Sequence, residues 1–412
     1  MNASTEDIKG KKGNELSQKK IVLGITGSVS AYKAADIARD LIRHGATVYA
    51  VMTPSSQKII HPNLIQWATG NDVVTELTGK IEHIQFTSGS QKADALLIAP
   101  ATANTISKIA KGIDDTPVTS YASSALGSGI PILIAPAMHD TMISQKIVQD
   151  NIEYLKTLGV QFITPVMEEG KAKLANEETI TEAVISSLSP KDMQGRHVLI
   201  TGGPTLEYID PVRVITNMSS GKMAVSLAKV AKRRGADVTL VYGQGVASPP
   251  QGIKLIKVKT AEEMYEGVEK ELLSLSYDLV IATAAVTDYS PDKVQNVKLR
   301  TSEIPRLTLQ LHATPKIVRM VKERSPSTKL IIFKAEHRVT QQELIKRAKE
   351  ALMESKADMA VANDVGKKET GFGSDNNEVF IIKQNGKVIH VPLSTKDEVA
   401  SSIIDEALRI ED

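Results

Sequence analysis

The feature that most constrains the fold of this chain is a pair of glycine-rich loops, one in each half. The first, Gly27-Ser28, follows the apolar run 20–25. The second, Gly202-Gly203, follows the apolar run 197–201. Each loop leads into a helical pattern, the setting in which glycine lets the backbone approach a phosphate. The chain is therefore expected to carry two phosphate-handling sites, one after the other.

Apolar runs alternate with helical patterns throughout both halves. In the first half the runs recur at 46–52, 93–99 and 130–135, with helical spacing of apolar residues between them. Continuous apolar runs are typical of parallel strands buried on both faces. We predict an α/β fold with two doubly wound, mostly parallel-sheet domains, the first flavodoxin-like and the second Rossmann-like.

A polar, proline-containing stretch interrupts this alternation and divides the chain. The predicted organisation is a flexible leader at 1–18, a first domain at 19–188, a linker at 189–195 and a second domain at 196–412. Near the end, a hairpin is predicted at 379–391, with Asn385-Gly386 as a two-residue turn.

Composition excludes several classes of function. With 412 residues and a net charge of +2, the chain has no strong basic field for nucleic acid. It has no apolar run long enough to span a membrane, and its N-terminal stretch is too polar for a secretory signal, so a cytoplasmic location is expected. The chain contains no cysteine, which excludes disulfides, thiolate metal sites and cysteine nucleophiles.

Four loops of the first half follow predicted strands and are rich in hydroxyl or amide groups. Ligands of parallel sheets bind at this edge. The loops are Gly27-Ser28, Thr53-Pro54-Ser55, the stretch 100–104 and the stretch 136–139. Because the acidic ribose contact of a dinucleotide site is absent, a mononucleotide is favoured.

These loops resemble those of the flavin-binding cysteine decarboxylases, which act on peptidyl cysteine or on phosphopantothenoylcysteine. The resemblance implies that His83 is the catalytic base. It also implies that Lys171 and Lys173 hold an anionic group of the substrate. The implied FMN-binding residues are Gly27, Ser28, Lys33, Thr53, Ser55, Ala101, Thr102, Asn104 and Met138.

Two departures from that family concern the first site. His139 stands where the family has an asparagine that holds the substrate carboxylate, so we expect His139 to act there instead. The family also has a cysteine that serves in the final reduction, and the matching position here is Ala175 or Asn176. The donor for that last step is left open.

The second half resembles phosphopantothenate–cysteine ligase. Seven ordered motifs carry the resemblance: 201–205, 210–217, 219–223, 284–289, 298–300, 362–365 and 371–377. The implied chemistry is activation of a carboxylate as an acyl nucleotide, followed by attack of the cysteine amine. Asn217 is then expected to stabilise the acyl-nucleotide step, and Lys298 to be needed for conversion to the amide.

The same resemblance implies the ligand contacts of the second site. The nucleotide contacts are Gly202, Gly203, Ala282, Thr283, Ala284, Asp288, Lys298, Pro315, Lys316, Ile317, Val318 and Phe333. The substrate contacts are Asp210, Ser219, Ser220, Gly221 and Lys222. The family's two helix lysines match Ala351 and Ser355, which leaves Lys334, Arg347, Lys349 and Lys356 as candidates for the triphosphate. CTP and ATP both remain open as the nucleotide, Mg²⁺ is expected with it, and the Mg²⁺ ligands are not fixed.

The order of decarboxylase then ligase is that of the bifunctional family of coenzyme A biosynthesis. It implies 4'-phosphopantothenate, cysteine and a nucleoside triphosphate as substrates. It also implies a homo-oligomer of decarboxylase trimers and ligase dimers, compatible with a dodecamer. The alternatives are an active ligase with an altered or decayed decarboxylase half, a regulatory flavoprotein, and a flavin prenyltransferase fused to another domain.

Overall fold

Two separate sheets organise the chain, one in each of the units Met1–Ser189 and Pro190–Asp412. The computed structural model describes residues 3–87, 92–300, 302, 306–367, 369–371 and 373–410. The fold is α/β with mostly parallel sheets, as the alternation of apolar runs and helical patterns predicts.

Unit 1 is built on a six-stranded parallel sheet. Its strands are β1 (Lys20–Ile25), β2 (Thr47–Met52), β3 (Val73–Val74), β4 (Ala95–Ala101), β5 (Ile132–Pro136), β6 (Met138–His139), β7 (Gln161–Phe162), β8 (Val166–Glu168) and β9 (Lys171–Lys173). The main sheet has the order β3-β2-β1-β4-β5-β7, and β6, β9 and β8 form a small antiparallel sheet.

Helices cover both faces of this sheet. They are α1 (Ala3–Glu6), α2 (Ala34–Arg43), α3 (Pro62–Thr69), α4 (Glu82–Thr87), α5 (Ala103–Ala110), α6 (Pro117–Ser128), α7 (Asp140–Ile143), α8 (Lys146–Thr157) and α9 (Glu177–Leu188), with 3₁₀ helices at Val29–Lys33 and Ser56–Lys58. Alternate residues of β4 belong to different apolar clusters, Leu97 to one and Leu96 and Ile98 to the other. Because successive strand residues point to opposite faces, the sheet has a core on each side.

The N-terminal segment is packed onto unit 1, which corrects the prediction of a flexible leader. Leu16 is fully buried within an apolar cluster of this unit. Its amide donates to the His44 carbonyl at 2.9 Å, and the amide of Lys12 donates to the Arg43 carbonyl at 2.9 Å. Lys12 also pairs with the buried carboxylate of Asp40 at 2.7 Å. The sequence prediction failed because one apolar residue in a polar stretch gives no periodic signal.

Unit 2 is built on an eight-stranded sheet. Its strands are β10 (His197–Gly202), β11 (Leu206–Tyr208), β12 (Val214–Thr216), β13 (Asp237–Tyr242), β14 (Lys254–Lys257), β15 (Leu279–Ala282), β16 (Tyr289–Pro291), β17 (Leu311–Ala313), β18 (Lys329–Glu336), β19 (Met359–Asp364), β20 (Asn376–Lys383) and β21 (Val388–Thr395). The order is β14-β13-β10-β15-β18-β19-β20-β21, parallel as far as β19 and antiparallel beyond it. The pairs β11–β12 and β16–β17 are two small antiparallel ribbons.

Helices again cover both faces. They are α10 (Lys222–Arg233), α11 (Ala261–Ser274), α12 (Ile317–Arg324), α13 (Gln341–Ser355) and α14 (Lys396–Leu408). The predicted linker residues also belong to this unit, because Met193 is fully buried in its core. Asp192 accepts from the guanidinium of Arg234 at 2.8 Å, which anchors the same stretch.

The predicted hairpin is present as β20 and β21, but its loop is longer than predicted. Ile382 pairs with Val388, and Lys383 and Lys387 form the last backbone pair before the turn. Three residues therefore connect the strands, and Gly386 has a φ of +84°. A three-residue loop that ends in the left-handed region is a common alternative to a two-residue turn, and it also favours glycine at that position.

The burial of the N-terminal segment leads to a stability prediction. We expect Leu16→Ala to lower the free energy of unfolding of unit 1 by about 2–4 kcal/mol, because it removes buried methyl groups and leaves a cavity. Urea unfolding followed by the fluorescence of Trp67 measures this, since Trp67 is the single tryptophan of the chain and lies in unit 1.

Lys11→Ala is the matched control for this variant. Lys11 lies in the same segment but is exposed, so its removal should leave the unfolding curve within about 0.5 kcal/mol of the wild type. A Leu16→Ala curve that coincides with that of the control would show that the segment does not stabilise the unit.

Candidate active sites

Three helix starts meet at the carboxyl edge of the unit 1 sheet. Ser28 caps the first 3₁₀ helix, its Oγ accepting from the amide of Ser30 at 3.4 Å. Ser55 precedes the second 3₁₀ helix. Thr102 caps α5, its Oγ1 accepting from the amide of Thr105 at 3.3 Å. Free amide hydrogens and hydroxyls at helix starts suit a phosphate group.

A cavity of about 340 Å³, here called the unit 1 cavity, opens at this edge. It is lined by Gly27, Thr53, Pro54, Ser55, Thr102, Asn104, Thr105, Lys108, Thr116 and Met142. A Cβ on Gly27 would lie 2.5 Å from the Cβ of Ser55, so only glycine permits this approach of the two loops. Thr26 joins the neighbouring loops by donating to the Pro100 carbonyl at 2.8 Å and accepting from the Thr102 amide at 3.0 Å.

The unit 1 cavity contains five of the nine residues predicted to bind FMN. Ser28, Lys33, Ala101 and Met138 do not line it; Ala101 is fully buried, and Lys33 ends a 3₁₀ helix. Four lining residues were not predicted: Thr105, Lys108, Thr116 and Met142. Lys108 could have been predicted to line the cavity together with Asn104, because residues four apart on a helix lie on the same face.

His83 lies on α4 and is not among the residues that line the unit 1 cavity. Its Nδ1 is buried and has no hydrogen-bond partner within the described part of the chain. Phe86 on the same helix packs between Tyr49 and Tyr121, with ring centroids 4.6 and 6.2 Å away. Residues 88–91, which follow α4, lie outside the described ranges. In the described ranges, no residue of α4 lines the cavity.

The small sheet of unit 1 joins two predicted substrate residues. His139 on β6 pairs with Lys171 on β9. His139 also caps α7, its Nδ1 lying 3.4 Å from the amide of Thr141. An asparagine is equally able to cap a helix, so the exchange preserves the local fold. Lys173 instead pairs with Glu168 and Glu169, each at 2.9 Å.

The positions that match the family cysteine have structural roles here. Ala175 is buried in the core of unit 1. The side chain of Asn176 accepts from the amide of Thr179 at 2.8 Å and so caps α9. Neither side chain carries a proton that titrates near neutral pH, so neither replaces a thiol chemically.

A larger cavity of about 690 Å³, the unit 2 cavity, opens at the carboxyl edge of the second sheet. It brings together segments that are far apart in the sequence. Its lining includes Thr216, Asn217, Ser219, Ser220, Gly221, Lys222, Thr283, Ala284, Asp288, Phe333, Lys334, Asn363, Asn377 and Lys396. Four of the five predicted substrate contacts, and Asn217, are among them.

Asn217 and the turn that follows it line one side of this cavity. The side-chain amide of Asn217 donates to the carbonyls of Ala285 and Val286 at 3.2 and 3.0 Å. Gly221 has a φ of +77° and caps α10, which places the first amides of that helix at the cavity. Lys222 donates to Asp375 at 2.6 Å and to the Gly373 carbonyl at 2.7 Å.

A side pocket of about 140 Å³ shares part of its lining with the unit 2 cavity. It is formed by Thr201, Ala282, Ala284, Val286, Asp288, Thr314, Pro315, Lys316, Ile317, Val318 and Phe333. Eight of these were predicted to contact the nucleotide. Lys316 pairs with Asp288 at 2.5 Å, so two of the predicted residues are bonded to each other.

The second glycine pair has a packing role in this structure. A Cβ on Gly202 would lie 2.2 Å from that of Ala224, so glycine allows α10 to approach β10. Gly203 has a φ of +74° and would place a Cβ 3.1 Å from the amide of Gly245. Neither residue lines the unit 2 cavity or the side pocket.

Asp210 differs from its prediction as a substrate contact. It is fully buried and lies outside the lining of both cavities of unit 2. Burial opposes its ionisation, but the amides of Val212, Leu299 and Arg213, together with the Arg213 guanidinium, lower its pKa to about 2. Asp210 is therefore a structural carboxylate. Lys298, which precedes Leu299, is exposed.

The candidate triphosphate cations differ in their surroundings. Lys334 lines the unit 2 cavity and pairs with Glu336 at 3.2 Å. Arg347 pairs with the same Glu336 at 2.7 Å and with Glu343 at 2.8 Å. Of the candidates, only Lys334 is in the lining of the unit 2 cavity.

Lys396 lines the unit 2 cavity and was missed by the sequence analysis. Its ammonium donates to the Ser374 carbonyl and, at 3.4 Å, to the Asn376 carbonyl. Burial and the positive charge of Lys222 together lower the pKa of Lys396 to about 8, while Asp375 opposes this shift. The only sequence signal is its place at the start of α14, behind the Thr395 cap.

The described ranges contain neither a candidate metal cluster nor a candidate membrane-spanning helix. No cluster of three or more histidine, aspartate or glutamate side chains is arranged to hold a metal ion. None of the helices that the structure describes has the length and apolar character needed to cross a membrane.

Comparison with known proteins identifies the family. The Flavoprotein family matches residues 9–189, and the family described as DNA/pantothenate metabolism flavoprotein C-terminal domain matches residues 193–410. The coenzyme A biosynthesis bifunctional protein of Thermococcus kodakarensis is 48% identical over 397 residues, 96% of each chain. That of Methanocaldococcus jannaschii is 38% identical over 98% of this chain and 97% of its own.

A solved C-terminal domain of such a protein is 36% identical, with a TM-score of 0.45, and covers 54% of this chain and 100% of its own. The two family models match both halves of this chain, and the two relatives align along nearly its whole length. The chain belongs to the family of bifunctional proteins of coenzyme A biosynthesis, and it is an enzyme with a decarboxylase and a ligase activity.

Proposed function

We propose that this enzyme joins cysteine to 4'-phosphopantothenate and then decarboxylates the resulting phosphopantothenoylcysteine to 4'-phosphopantetheine. The observation that carries the proposal is the unit 2 cavity with its side pocket. Together they collect Asn217, the turn at 219–221 and Asp288 at one sheet edge. A cavity of about 690 Å³ with an adjoining pocket of about 140 Å³ suits an acyl nucleotide, whose acyl and nucleoside parts bind in different places.

In the ligase site, the substrate carboxylate attacks the α-phosphorus of a nucleoside triphosphate and pyrophosphate leaves. Negative charge then develops around phosphorus, and fixed amide donors and cations stabilise it. We assign this role to Asn217 and to the first amides of α10, which line the unit 2 cavity. Asp288 and Lys316 are assigned to nucleotide binding at the side pocket. We propose CTP as the nucleotide, with ATP as the second candidate, and Mg²⁺ bound mainly through its phosphates.

The terminal phosphate of 4'-phosphopantothenate is assigned to the cationic end of the unit 2 cavity. Lys222 and Lys396 both line this end, next to the turn that begins α10. Phosphate is well served by ammonium groups and by the free amides of a helix start. After activation, the cysteine amine attacks the acyl carbon, the nucleoside monophosphate leaves, and Lys298 stabilises the charge on the acyl oxygen.

In the decarboxylase site, the residues of the unit 1 cavity would hold FMN. Gly27, Ser55 and Thr102 fit its phosphate, because close backbone approach and helix caps meet there. When bound, FMN supplies the two-electron oxidation of the cysteinyl thiol that makes loss of CO2 easy. We assign His83 as the base that takes a substrate proton. Its buried Nδ1 has no hydrogen-bond partner in the described part of the chain. Because buried polar atoms are normally hydrogen-bonded, this supports a partner atom supplied by a bound ligand or by another copy of the chain.

We propose that the decarboxylase site is completed by another copy of the chain. His83 is not in the lining of the unit 1 cavity, and Ile81 and Ile84 beside it are 53% and 37% exposed, which supports a contact with another copy at α4. Following the family resemblance, we propose decarboxylase trimers and ligase dimers, combined in a homo-oligomer such as a dodecamer. We place both reactions in the cytoplasm, where the nucleotide is available.

A second candidate function is an active ligase with an altered decarboxylase. The observations that favour it are His139, which caps α7 in place of the family asparagine, and Asn176, which caps α9 near the position of the family cysteine. In that case the oxidised enethiol would accumulate instead of 4'-phosphopantetheine.

The first test removes the proposed base. With 4'-phosphopantothenate, cysteine, CTP and Mg²⁺, His83→Asn should lower CO2 release by at least about 100-fold, because general base catalysis is lost. Phosphopantothenoylcysteine should accumulate and pyrophosphate release should stay unchanged. Liquid chromatography of the products measures both activities in one reaction.

His61→Asn is the matched control for that variant. His61 is exposed and caps α3 by accepting from the amide of Asn63 at 3.2 Å, a role that asparagine can also fill. It should leave both activities unchanged. Equal loss of CO2 and pyrophosphate in His83→Asn would contradict two separate sites.

The second test concerns pH. Because the pKa of Lys396 is lowered to about 8, its ammonium is present below that pH and is lost as the pH rises through 8. The KM for 4'-phosphopantothenate should therefore rise by about tenfold between pH 7 and pH 9, because the substrate phosphate loses one charge-assisted hydrogen bond.

Lys396→Arg keeps the charge at all these pH values, so it should remove this rise in KM. Lys396→Met should give the high KM already at pH 7. An unchanged KM in Lys396→Met at pH 7 would show that this cation does not contact the substrate.

A further inference from the structure

The turn between β11 and β12 holds a buried carboxylate that the proposed mechanism does not use. Asp210 is fully buried, and its Oδ1 accepts from the amides of Val212 and Arg213, both at 2.8 Å. Its Oδ2 accepts from the Arg213 guanidinium at 2.5 Å and from the amide of Leu299 at 3.1 Å. Four donors therefore meet on one carboxylate.

The fourth of these donors comes from a distant part of the chain. Leu299 lies 89 residues further along, and its carbonyl accepts from the Arg213 guanidinium at 3.1 Å. Both backbone polar groups of Leu299 are thus held by the turn. The same loop is anchored again where the amide of Gln295 donates to the Ile209 carbonyl at 3.0 Å.

The residue next to this anchor is Lys298, the lysine assigned to amide formation. It belongs to a loop without regular secondary structure, in which residues 292–298 are exposed. Such a loop has little else to fix its position, because it buries few apolar side chains.

Asparagine could not replace Asp210 without loss. The pKa of Asp210 is lowered to about 2, so the carboxylate is ionised throughout the working pH range. All four partners are donors, and an asparagine side chain offers only one acceptor oxygen with an NH2 group beside it. In either orientation, the NH2 group of the asparagine would face two donors. These are the amides of Val212 and Arg213 in one orientation, and the Arg213 guanidinium and the Leu299 amide in the other.

We infer that Asp210 is a positioning residue for Lys298. Its carboxylate, with the Arg213 guanidinium, holds the backbone of Leu299 and so delivers the Lys298 ammonium to the acyl nucleotide. The inference rests on the proposed function, which gives Lys298 its role in the second half-reaction. It explains why a carboxylate predicted to touch substrate is instead buried and saturated with donors.

The test separates the two half-reactions in Asp210→Asn. Without cysteine, formation of the acyl nucleotide from 4'-phosphopantothenate and CTP should stay within about threefold of wild type. With cysteine, conversion to the amide should fall by about 10- to 100-fold, because misplacement of a catalytic group by about 1 Å has this effect. Rapid quenching and chromatography of the acyl nucleotide measure both rates. Equal slowing of both steps, or of neither, would overturn the inference.

Two variants accompany this measurement. Lys298→Met should show the same accumulation of acyl nucleotide, and if it forms the amide normally the proposed role of Lys298 fails, independently of Asp210. Asp278→Asn is the matched control, because Asp278 also accepts from a backbone amide, that of His197 at 2.7 Å, outside both cavities of unit 2. It should leave both rates unchanged.

Limited trypsin digestion tests whether Asp210 holds the backbone of Leu299, and it also detects general misfolding of the variant. The bond between Lys298 and Leu299 is the one that Asp210 holds, so Asp210→Asn should be cut there at least about tenfold faster than wild type, while cleavage elsewhere in unit 2 stays unchanged. Faster cleavage at every site would indicate general unfolding, and unchanged cleavage after Lys298 would overturn the inference.

Discussion

In both units, the proposed ligand cavity opens at the edge where parallel strands end. Parallel pairing aligns the carboxyl ends of these strands, so segments far apart in sequence meet there. The unit 2 cavity depends on this alignment, because Asn217, Asp288 and Lys396 come from three distant segments. The unit 1 cavity likewise joins Gly27, Ser55 and Thr102. Without the shared edge, none of these groups would be neighbours.

Close approach between loops is the second requirement, and glycine meets it differently in the two units. Gly27 lets the first loop touch the loop at Ser55, which shapes the cavity itself. Gly202 lets α10 touch β10, which brings the start of that helix and its turn to the unit 2 cavity. Each glycine-rich loop therefore contributes to a cavity in a different way. The first loop lines the unit 1 cavity, and the second supports the helix whose start lines the unit 2 cavity.

Much of the fold could be predicted from the sequence, because apolar runs and helical spacing are local patterns that predict buried strands and the helices between them. The residues of the side pocket were instead implied by the ordered motifs that resemble the ligase family, and eight of them line that pocket. Lys396 could not be predicted, since only tertiary packing brings the start of α14 to the turn at 219–221. The same applies to Asp210, whose fourth donor lies 89 residues away. The burial of Leu16 could not be predicted, because a single apolar residue in a polar stretch forms no periodic pattern.

The central claim is that one chain carries two sites that act in sequence on one substrate. The most direct measurement follows pyrophosphate and CO2 together, after wild-type enzyme loaded with FMN is mixed with 4'-phosphopantothenate, cysteine, CTP and Mg²⁺. We predict equal final amounts, with CO2 appearing after a lag as phosphopantothenoylcysteine passes from the ligase to the decarboxylase. Pyrophosphate released without CO2 would contradict the claim.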